Sequence, residues 1–418
     1  MPPDLQFHDD NPVLTSAAER LSRNYVENGP MPHLQMLVSV DERVVLDHVS
    51  GEARADGEPL QRDALFRIAS MTKPLVTAAF LTLVEAGRVS LETPLATIIP
   101  EFSEMRLWDG NVDKDGQPTH GNRVERPITL YDLLRHSAGF SYSIHRASAL
   151  DAIYGALQLD NFQHKRTAAE YASQIAALPL LYPPGERFHY SIATDLLGVV
   201  IERVAGEGLD AFLADTLLDP LGMIDTAFVV SADKQDRLVD AWMLDETGAP
   251  TVYDRGEQSR WRVEPKFFSA GGGLVSTAAD YHRFLRMLMH GGEREGRQIL
   301  APGTVALMLR NHLPGGGDLV AERSVPLSET SLPGIGMGLG GAIVLDSTET
   351  QAPGSPGTYL WGGMLSTGFF LDPARRIIGL IMTQLMPSGS TELREDFRRA
   401  VYGALPPSSG NAPKCRMT

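Results

Sequence analysis

The chain has 418 residues, more than one ordinary hydrophobic core holds, so we expect one large domain or two interleaved domains. Its 43% apolar and 21% charged residues are typical of a soluble globular protein, and its net charge of −15 disfavours nucleic acids and anionic membranes as partners. The one cysteine, Cys415, excludes an internal disulfide and a metal–thiolate site. Neither an apolar leader nor an apolar run of membrane-spanning length is present, so the expected location is cytoplasmic.

The first 127 residues are predicted to contain a helix, a hairpin, a second helix and a polar insertion. Apolar spacing and turn residues mark each of them. They are, in chain order, an amphipathic helix over 14–27, β-rich runs over 34–40 and 43–49 joined at Asp41-Glu42, a helix with one buried face from Ser70 to Gly87, and a Gly- and Asp-rich surface loop over 106–127.

Helices are predicted for the middle of the chain, and strands return near its end. Helical spacing marks 129–140, 167–181, 191–206 and 209–223, with a rigid turn over 182–188. Then come a helix capped by Ser276 or Thr277, a helix over 300–313 and a loop over 314–334. Strand-like runs separated by turns cover 338–346, 358–363, 366–373 and 376–385, and a last helix covers 392–405.

This order of elements predicts an α/β fold of the α+β type, in which helices flank an antiparallel sheet. If the early hairpin completes the late sheet, residues 1–106 and 251–418 form one α/β domain. Residues 107–250 are then an inserted, mainly helical domain, and an active site is expected in the cleft between the two.

Ser70 and Lys73 stand at the start of the second predicted helix with the spacing S-x-x-K. Residues three apart share one helix face, so the amine can reach the serine hydroxyl and activate it as a nucleophile. The free N–H groups and the positive dipole end favour negative charge at this place. The pattern is weak alone, because a helix N-cap serine with a nearby lysine is common on surfaces.

Two further stretches each have a structural and a catalytic interpretation. Tyr190 is either a half-buried packing residue or, beside the S-x-x-K pair, a general acid or base. Trp361-Gly362-Gly363-Met364 is either a β-turn with a core tryptophan or a strand edge that a ligand approaches, with one N–H directed at an oxyanion.

Metal and nucleotide sites are not expected. Gly336-x-Gly338-x-x-Gly341 precedes a strand instead of the helix that a dinucleotide fingerprint needs. The eleven histidines form no metal-binding pattern, and core or solvent roles are assigned to His136 and His189. No serine lies in G-x-S-x-G, which disfavours an α/β-hydrolase triad. We therefore expect neither a metal nor a cofactor.

Several motifs occur in an order that is specific as a set. They are SMTK (70–73), LLRHSAGF (133–140), YPPGERFHYS (182–191), LGMIDT (221–226), GGGLVSTAADYHRFLRML (271–288) and WGG (361–363). With them the chain resembles the serine β-lactamase-like superfamily, in particular family VIII carboxylesterases related to class C β-lactamases and penicillin-binding proteins. The resemblance runs from about residue 14 to 403.

The resemblance implies a role for each matching position. Ser70 is the acylated nucleophile, Lys73 is its activating partner, and Tyr190 takes the place of the tyrosine in the family's Y-x-N motif. The backbone N–H groups of Ser70 and Met364 form the oxyanion hole. Asp195 follows one helical turn after Ser191 and is either an orienting residue or a surface or cap residue.

Two departures from the family motifs bear on the substrate. Ile192 replaces the Y-x-N asparagine, and Trp361-Gly362-Gly363 replaces K-T-G; these four residues are assigned to substrate binding. A β-lactamase holds its substrate's carboxylate with that lysine, and a lost charge or hydrogen bond weakens recognition far more than lost packing does. An uncharged ester loses nothing, so the implied activity is that of a carboxylesterase acting on small, short-acyl esters.

Three alternatives remain open. An acyltransferase or transesterase would resolve the same acyl-enzyme with an alcohol instead of water. A weak β-lactamase is the second alternative. The third, from a different class, is a non-catalytic sensor module of the penicillin-binding type, which the complete set of Ser70, Lys73 and Tyr190 disfavours. The oligomeric state is not predicted.

Overall fold

A computed structural model describes residues 11–405 apart from 42, 323–326, 328, 329 and 331. Glu42 of the predicted hairpin turn, part of the predicted loop over 314–334, and Cys415 lie outside the described residues.

The α-helices of this part of the chain are α1 Pro12–Ser22, α2 Thr72–Glu85, α3 Leu95–Ile98, α4 Leu130–Leu134, α5 Ala149–Ala156, α6 Ala168–Ala176, α7 Ala193–Ala205, α8 Leu209–Leu213, α9 Asp219–Leu221, α10 Ala278–Met289, α11 Pro302–Met308 and α12 Leu393–Ala404. The strands are β1 His33–Val40, β2 Arg43–Gly51, β3 Phe66–Arg67, β4 Arg106–Val112, β5 Pro118–Arg123, β6 Gln163–His164, β7 Ala241–Leu244, β8 Pro250–Asp254, β9 Phe267–Phe268, β10 Val275–Ser276, β11 Glu293–Arg294, β12 Arg297–Gln298, β13 Ile335–Met337, β14 Ala342–Val344, β15 Tyr359–Gly362, β16 Gly368–Asp372, β17 Ile377–Met382 and β18 Leu385–Met386.

The largest sheet in the described residues has seven strands in the order β13-β14-β15-β16-β17-β1-β2. Every neighbouring pair is antiparallel. Because β1 pairs with both β2 and β17, the hairpin near the start of the chain completes the meander near its end. The predicted α/β fold with a central antiparallel sheet is confirmed.

Helices cover both faces of this sheet. Phe369 and Phe370 are neighbours in β16, so their side chains point to opposite faces. Phe369 packs against Tyr281 of α10, with ring centroids 5.3 Å apart, and Phe370 packs against Phe397 of α12 at 5.9 Å. Burial on both faces explains why β15, β16 and β17 are buried along their whole length.

Helix α2 lies in the core and presents its first turn to the site. Every residue from Thr72 to Leu81 is buried, so this stretch is enclosed on all sides and not, as the spacing indicated, on one face only. The helix ends at Glu85, and Gly87 follows with a φ of 66°, the conformation expected of a glycine that terminates a helix.

The predicted helix over 129–140 is shorter in the structure and spans only Leu130–Leu134. His136 and Gly139 both have positive φ angles, 53° and 88°, which no α-helix accommodates. The chain therefore leaves the helix after Leu134 and carries the His136 ring to within 4.9 Å of the Tyr190 ring.

Other predicted elements are confirmed in kind but differ in extent. The helices predicted over 167–181 and 300–313 shorten to α6 and α11, whereas the helix predicted over 209–223 is continuous over 209–221, because a π-helical turn, Ala214–Leu218, joins α8 to α9. The strand predicted over 338–346 is only β14, because Gly340, with a φ of 80°, lies in the tight turn that joins β13 to β14. The stretch 106–127 is mostly exposed, as expected, but forms the β4–β5 hairpin instead of an irregular loop.

The predicted division into two domains stays a prediction. Helices α4 to α9 all lie within 107–250. The boundary at 250 falls at the first residue of β8, which pairs with β7, and β7 pairs with β18. Among the described helices, none combines the length and apolar character that crossing a bilayer requires.

Candidate active site

Ser70 lies in a short 3-10 turn, Ala69–Met71, between β3 and α2. The preceding Ile68 donates its N–H to the carbonyl of Leu274 at 3.1 Å. Ala69 has a φ of 44°, in the left-handed region that residues with a Cβ rarely adopt. Such a conformation persists only where the surrounding structure enforces it, and it is concentrated at functional sites. The turn holds Ser70 at the start of α2 with 6% of the residue exposed.

The structure brings together the three residues that the sequence singled out for catalysis. Lys73 Nζ lies 3.2 Å from Ser70 Oγ, and Tyr190 OH lies 2.9 Å from the same oxygen. Lys73 also donates to the carbonyl of Gly271 at 2.7 Å. Lys73 and Tyr190 are each only 1% exposed. One serine hydroxyl thus has an amine and a phenol within hydrogen-bond distance in a nearly dry environment.

A second tyrosine, Tyr142, belongs to this group and was missed by the sequence analysis. Lys73 Nζ lies 4.8 Å from the ring centroid of Tyr190 and 5.5 Å from that of Tyr142, and the two rings are 5.2 Å apart. The Tyr142 hydroxyl is buried without a hydrogen-bond partner among the described residues, and burial raises the pKa of Tyr142. Its position two residues after the LLRHSAGF motif was the only signal that could have indicated it.

Asp195 is buried in the first turn of α7, which excludes the surface interpretation. It accepts hydrogen bonds from Ser269 Oγ at 2.7 Å and from the N–H of Gly271 at 3.0 Å. Because the carbonyl of Gly271 accepts from Lys73, the carboxylate and the amine bind opposite sides of one glycine. Burial raises the pKa of Asp195, while the Ser269 hydrogen bond and the charge of Lys73 oppose that rise.

Two histidines hold Tyr190 in place. The N–H of Ser191 donates to His136 Nδ1 at 3.3 Å, and His145 Nε2 donates to the carbonyl of Tyr190 at 2.6 Å. Burial, and then the charge of Lys73, lower the pKa of His136 well below its usual value. His136 is therefore neutral at pH 7 and occupies a core position. His189 is also buried, which lowers its pKa to about 3.

Trp361 and Ile192, two of the residues assigned to substrate binding, are both buried. Trp361 meets Tyr190 edge to face, with ring centroids 5.4 Å apart, and its indole N–H has no partner among the described residues. Ile192 precedes α7 and donates its N–H to the carbonyl of Ser141 at 3.3 Å. The positions that carry a lysine and an asparagine in the family motifs are thus apolar and desolvated here, and their contact with substrate stays a prediction.

The two glycines after Trp361 have different neighbours. A Cβ on Gly363 would lie 2.5 Å from the carbonyl oxygen of Ile68 and 3.3 Å from the Cβ of Ala69, so Gly363 packs directly against the turn that carries Ser70. A Cβ on Gly362 would instead lie 2.6 Å from the guanidinium carbon of Arg394. The close approach at Gly362 is therefore to a side chain of α12, and its role in binding substrate stays a prediction, as does the oxyanion role of Met364.

Among the described residues, no group of three or more His, Cys, Asp or Glu side chains is placed to hold a metal ion. The functional groups around Ser70 are the amine of Lys73, the phenol of Tyr190, and the carboxylate of Asp195, which is linked to Lys73 through Gly271. This set of groups is suited to nucleophilic acyl transfer.

Comparison with known proteins identifies the family. The family model described as Beta-lactamase matches residues 18–404. Protein Rv1367c of Mycobacterium tuberculosis is 35% identical over 83% of this chain and 83% of its own length, and Esterase EstB of Burkholderia gladioli is 31% identical over 84% and 85%. The solved structure of EstCE1, described as a hydrolase with promiscuous acyltransferase activity, superposes with a TM-score of 0.79 at 27% identity and covers 94% of this chain and 99% of its own. Because the model spans most of the chain and two relatives exceed 30% identity, the resemblance read from the motifs is confirmed, and the chain belongs to the Beta-lactamase family.

Proposed function

We propose that the chain is a serine carboxylesterase that hydrolyses small, short-acyl esters through an acyl-enzyme on Ser70. The observation that carries the proposal is the position of Ser70 Oγ, 3.2 Å from Lys73 Nζ and 2.9 Å from Tyr190 OH in a nearly dry site. The names of EstB, an esterase, and EstCE1, a hydrolase, support the same activity.

In the first half-reaction, the Lys73–Tyr190 pair takes the hydroxyl proton while Ser70 Oγ forms a bond to the ester carbonyl carbon. The carbonyl π electrons move to oxygen and give a tetrahedral oxyanion. When the oxyanion collapses, the bond to the alkoxy group breaks and the pair returns the proton to the departing alcohol. The two groups titrate as one coupled unit, so the proton belongs to the pair.

The N–H groups of Ser70 and Met364 receive the oxyanion in this proposal. Donors of this kind contribute about 10²–10³-fold each to the rate, because they are already oriented when charge develops. Gly363 packs against Ala69, which brings the peptide group that carries the Met364 N–H beside the turn that carries Ser70. In the second half-reaction the oxygen of water bonds to the acyl carbon while the pair takes one water proton. When this second oxyanion collapses, the bond from the acyl carbon to Ser70 Oγ breaks, the pair returns the proton to Oγ, and the carboxylic acid departs.

An ester is favoured over a β-lactam because of the residues at 192 and 361. Recognition of a β-lactam carboxylate needs a positive or hydrogen-bonding group, and a site that lacks one discriminates strongly against such a substrate. Ile192 and Trp361 offer buried apolar surface instead. Poor turnover of cephalosporins relative to short esters is therefore expected. The cytoplasmic location stays a prediction.

Acyl transfer to an alcohol is the second candidate. The description of EstCE1 as a hydrolase with promiscuous acyltransferase activity supports it. The first half-reaction would be the same, and the alcohol would replace water in the second.

Intact-protein mass spectrometry during turnover of p-nitrophenyl butyrate tests the proposal. Wild-type protein should release nitrophenol steadily and carry a transient butyryl adduct on Ser70, and Ser70→Ala should show neither. The matched control is Ser173→Ala, on the exposed face of α6, which should behave like wild type. Addition of an acceptor alcohol reveals acyl transfer as a new ester. Undiminished turnover by Ser70→Ala would refute the nucleophile, and a permanent adduct without turnover would move the protein to the sensor class.

A further inference from the structure

Arg394 connects the C-terminal helix to the turn that follows Trp361. It lies in the first turn of α12 and donates from Nη2 to the carbonyl oxygens of Gly363 and Thr367, at 2.6 and 2.7 Å. Its Nε also donates to Thr367 O, at 3.0 Å. One guanidinium therefore binds both ends of the Gly363–Thr367 turn between β15 and β16.

The surroundings of this guanidinium fit it closely. Gly362 and Gly368 face each other as a register pair of β15 and β16. A Cβ added to Gly362 would lie 2.6 Å from the guanidinium carbon of Arg394. A Cβ added to Gly368 would lie 3.1 Å from Nε of the same arginine. A cation in the first turn of a helix is also opposed by the helix dipole, so helix stability does not account for Arg394. The hydrogen bonds from Arg394 to the Gly363–Thr367 turn account for its position instead.

Peptide geometry relates this contact to the reaction centre. The carbonyl of Gly363 and the N–H of Met364 belong to one planar trans peptide group, so they point in opposite directions. Arg394 and the N–H of Ser366, at 3.0 Å, both donate to that carbonyl. Fixing the Gly363 carbonyl toward Arg394 therefore fixes the Met364 N–H away from Arg394.

The rest of the turn is held at other points, so the Gly363–Met364 peptide is oriented by Arg394 together with the N–H of Ser366. The N–H of Ser388 donates to the carbonyl of Met364 at 3.0 Å, and Ser366 Oγ donates to the carbonyl of Leu385 at 2.8 Å. These bonds orient the peptide groups that follow Met364. The orientation of the Gly363–Met364 peptide group, by contrast, is set by the hydrogen bonds to the carbonyl oxygen of Gly363.

We propose that Arg394 is a positioning residue for catalysis: by holding the carbonyls of Gly363 and Thr367, it directs the Met364 N–H at the developing oxyanion. The inference rests on the proposed function, because it assumes that Met364 supplies one oxyanion donor. Arg394 itself does not touch the reacting atoms in this account.

The test compares Arg394→Gln and Arg394→Lys with a matched control, Arg398→Gln. Arg398 lies one turn further along α12 and also donates to two backbone carbonyls, those of Ala352 and Pro353 at 3.0 and 2.6 Å.

For Arg394→Gln, kcat on p-nitrophenyl butyrate should fall about 10–100-fold, part of what a lost oxyanion donor removes, with little change in KM. Arg394→Lys should recover a fraction of the loss, because an ammonium lacks the planar fork that binds both carbonyls. Arg398→Gln should keep kcat while losing thermal stability.

Binding of butylboronic acid separates positioning from general damage. This probe forms a tetrahedral adduct on the serine, so its affinity depends on the oxyanion donors, whereas KM reports largely on the uncharged ester. Its affinity should fall in Arg394→Gln by the same factor as kcat. Unchanged kcat and boronate affinity in Arg394→Gln would overturn the inference, as would a loss that merely follows the melting temperature and recurs in Arg398→Gln. If wild-type protein bound the boronate at Ser70 without turning over the ester, the proposed function would fail. The ratio of the boronate affinities of wild-type protein and Arg394→Gln would then still decide the role of Arg394.

Discussion

Lys73 is the residue through which the other groups of the site are connected. Lys73 is buried, contacts two aromatic rings, and has Asp195 on the far side of Gly271. His136, the other basic group near the phenol, is kept neutral by burial and by Lys73 itself. Lys73 Nζ is thus a basic group 3.2 Å from Ser70 Oγ, where it can share the hydroxyl proton with Tyr190 and, once protonated, stabilise negative charge on that oxygen.

Removal of one hydroxyl tests the assignment of Tyr190. We expect Tyr190→Phe to lower kcat/KM by about 10²–10⁴-fold, the usual contribution of a general acid–base group, because the phenol is 2.9 Å from Ser70 Oγ. The matched control is Tyr171→Phe, which removes the hydroxyl that donates to the carbonyl of Leu159 at 2.9 Å. That variant should lose about 1 kcal/mol of stability and keep its activity. Steady-state kinetics measures the activity of the two variants, and thermal melting measures their stability. Wild-type activity in Tyr190→Phe would exclude the phenol from proton transfer.

Three elements meet at the site, and each contributes one of its parts. The turn before α2 and the first residues of α2 provide Ser70 and Lys73, the segment before α7 provides Tyr190, and β15 provides Trp361, whose ring packs against that of Tyr190. A fourth segment, Ser269–Gly273, lies between β9 and β10 and lets the amine and Asp195 share Gly271. Its glycines matter because neighbouring side chains fill the space beside them.

Gly271→Ala tests this fourth segment. A Cβ at Gly271 would lie 2.5 Å from Asp195 Oδ2, closer than real Cβ atoms approach. Either the carboxylate or the loop must move, which displaces the carbonyl that accepts from Lys73. We expect kcat/KM to fall at least about 10-fold and stability to fall by about 1–3 kcal/mol, as for other overpacked sites. At Gly303 in α11 a Cβ would meet nothing within 4 Å, so Gly303→Ala is the control and should keep full activity. Wild-type kinetics in Gly271→Ala would show that the Lys73–Gly271 bond is dispensable.

The sequence predicted the kinds and order of these elements better than their boundaries. Local spacing was enough for α2, α7 and the strands of the meander, since each has a periodic or continuous apolar pattern. Local spacing did not reveal the end of α4 at Leu134, because it does not mark the positive φ of His136, a residue whose ring packs against that of Tyr190 from a distant part of the chain. For the same reason Arg394 and Tyr142 were not predicted: their roles depend on contacts between segments far apart in the chain.

At the scale of the whole molecule, the sheet joins the two ends of the chain. β1, near the start, pairs with β17, near the end, so the sheet is complete only when residues more than 300 positions apart have met. The interior of the described residues contains histidines as well as apolar residues. His33, His164 and His189 are buried, and burial lowers their pKa values to about 4, 3 and 3.

These histidines predict a loss of stability in acid. Below pH 6.5 the unfolded chain binds protons at these histidines, while the folded chain does so only near pH 3 to 4. Protons thus favour the unfolded state in this window, and the stabilisation present above pH 6.5 is lost as the pH falls toward 3. Each histidine contributes about 1 kcal/mol per pH unit there.

His164→Phe isolates one of these contributions. The His164 ring packs against Tyr171 and Phe267, with centroids 4.9 and 5.2 Å away, and its Nε2 is buried without a partner among the described residues. A phenyl ring fits this aromatic setting and cannot be protonated, so unfolding by urea between pH 6.5 and 4 should show a shallower loss of stability, by about 1 kcal/mol per pH unit. The variant His120→Gln, at an exposed position of the β4–β5 hairpin, is the control and should keep the wild-type slope. If His164→Phe retained that slope as well, protonation of His164 would not be what destabilises the fold in acid.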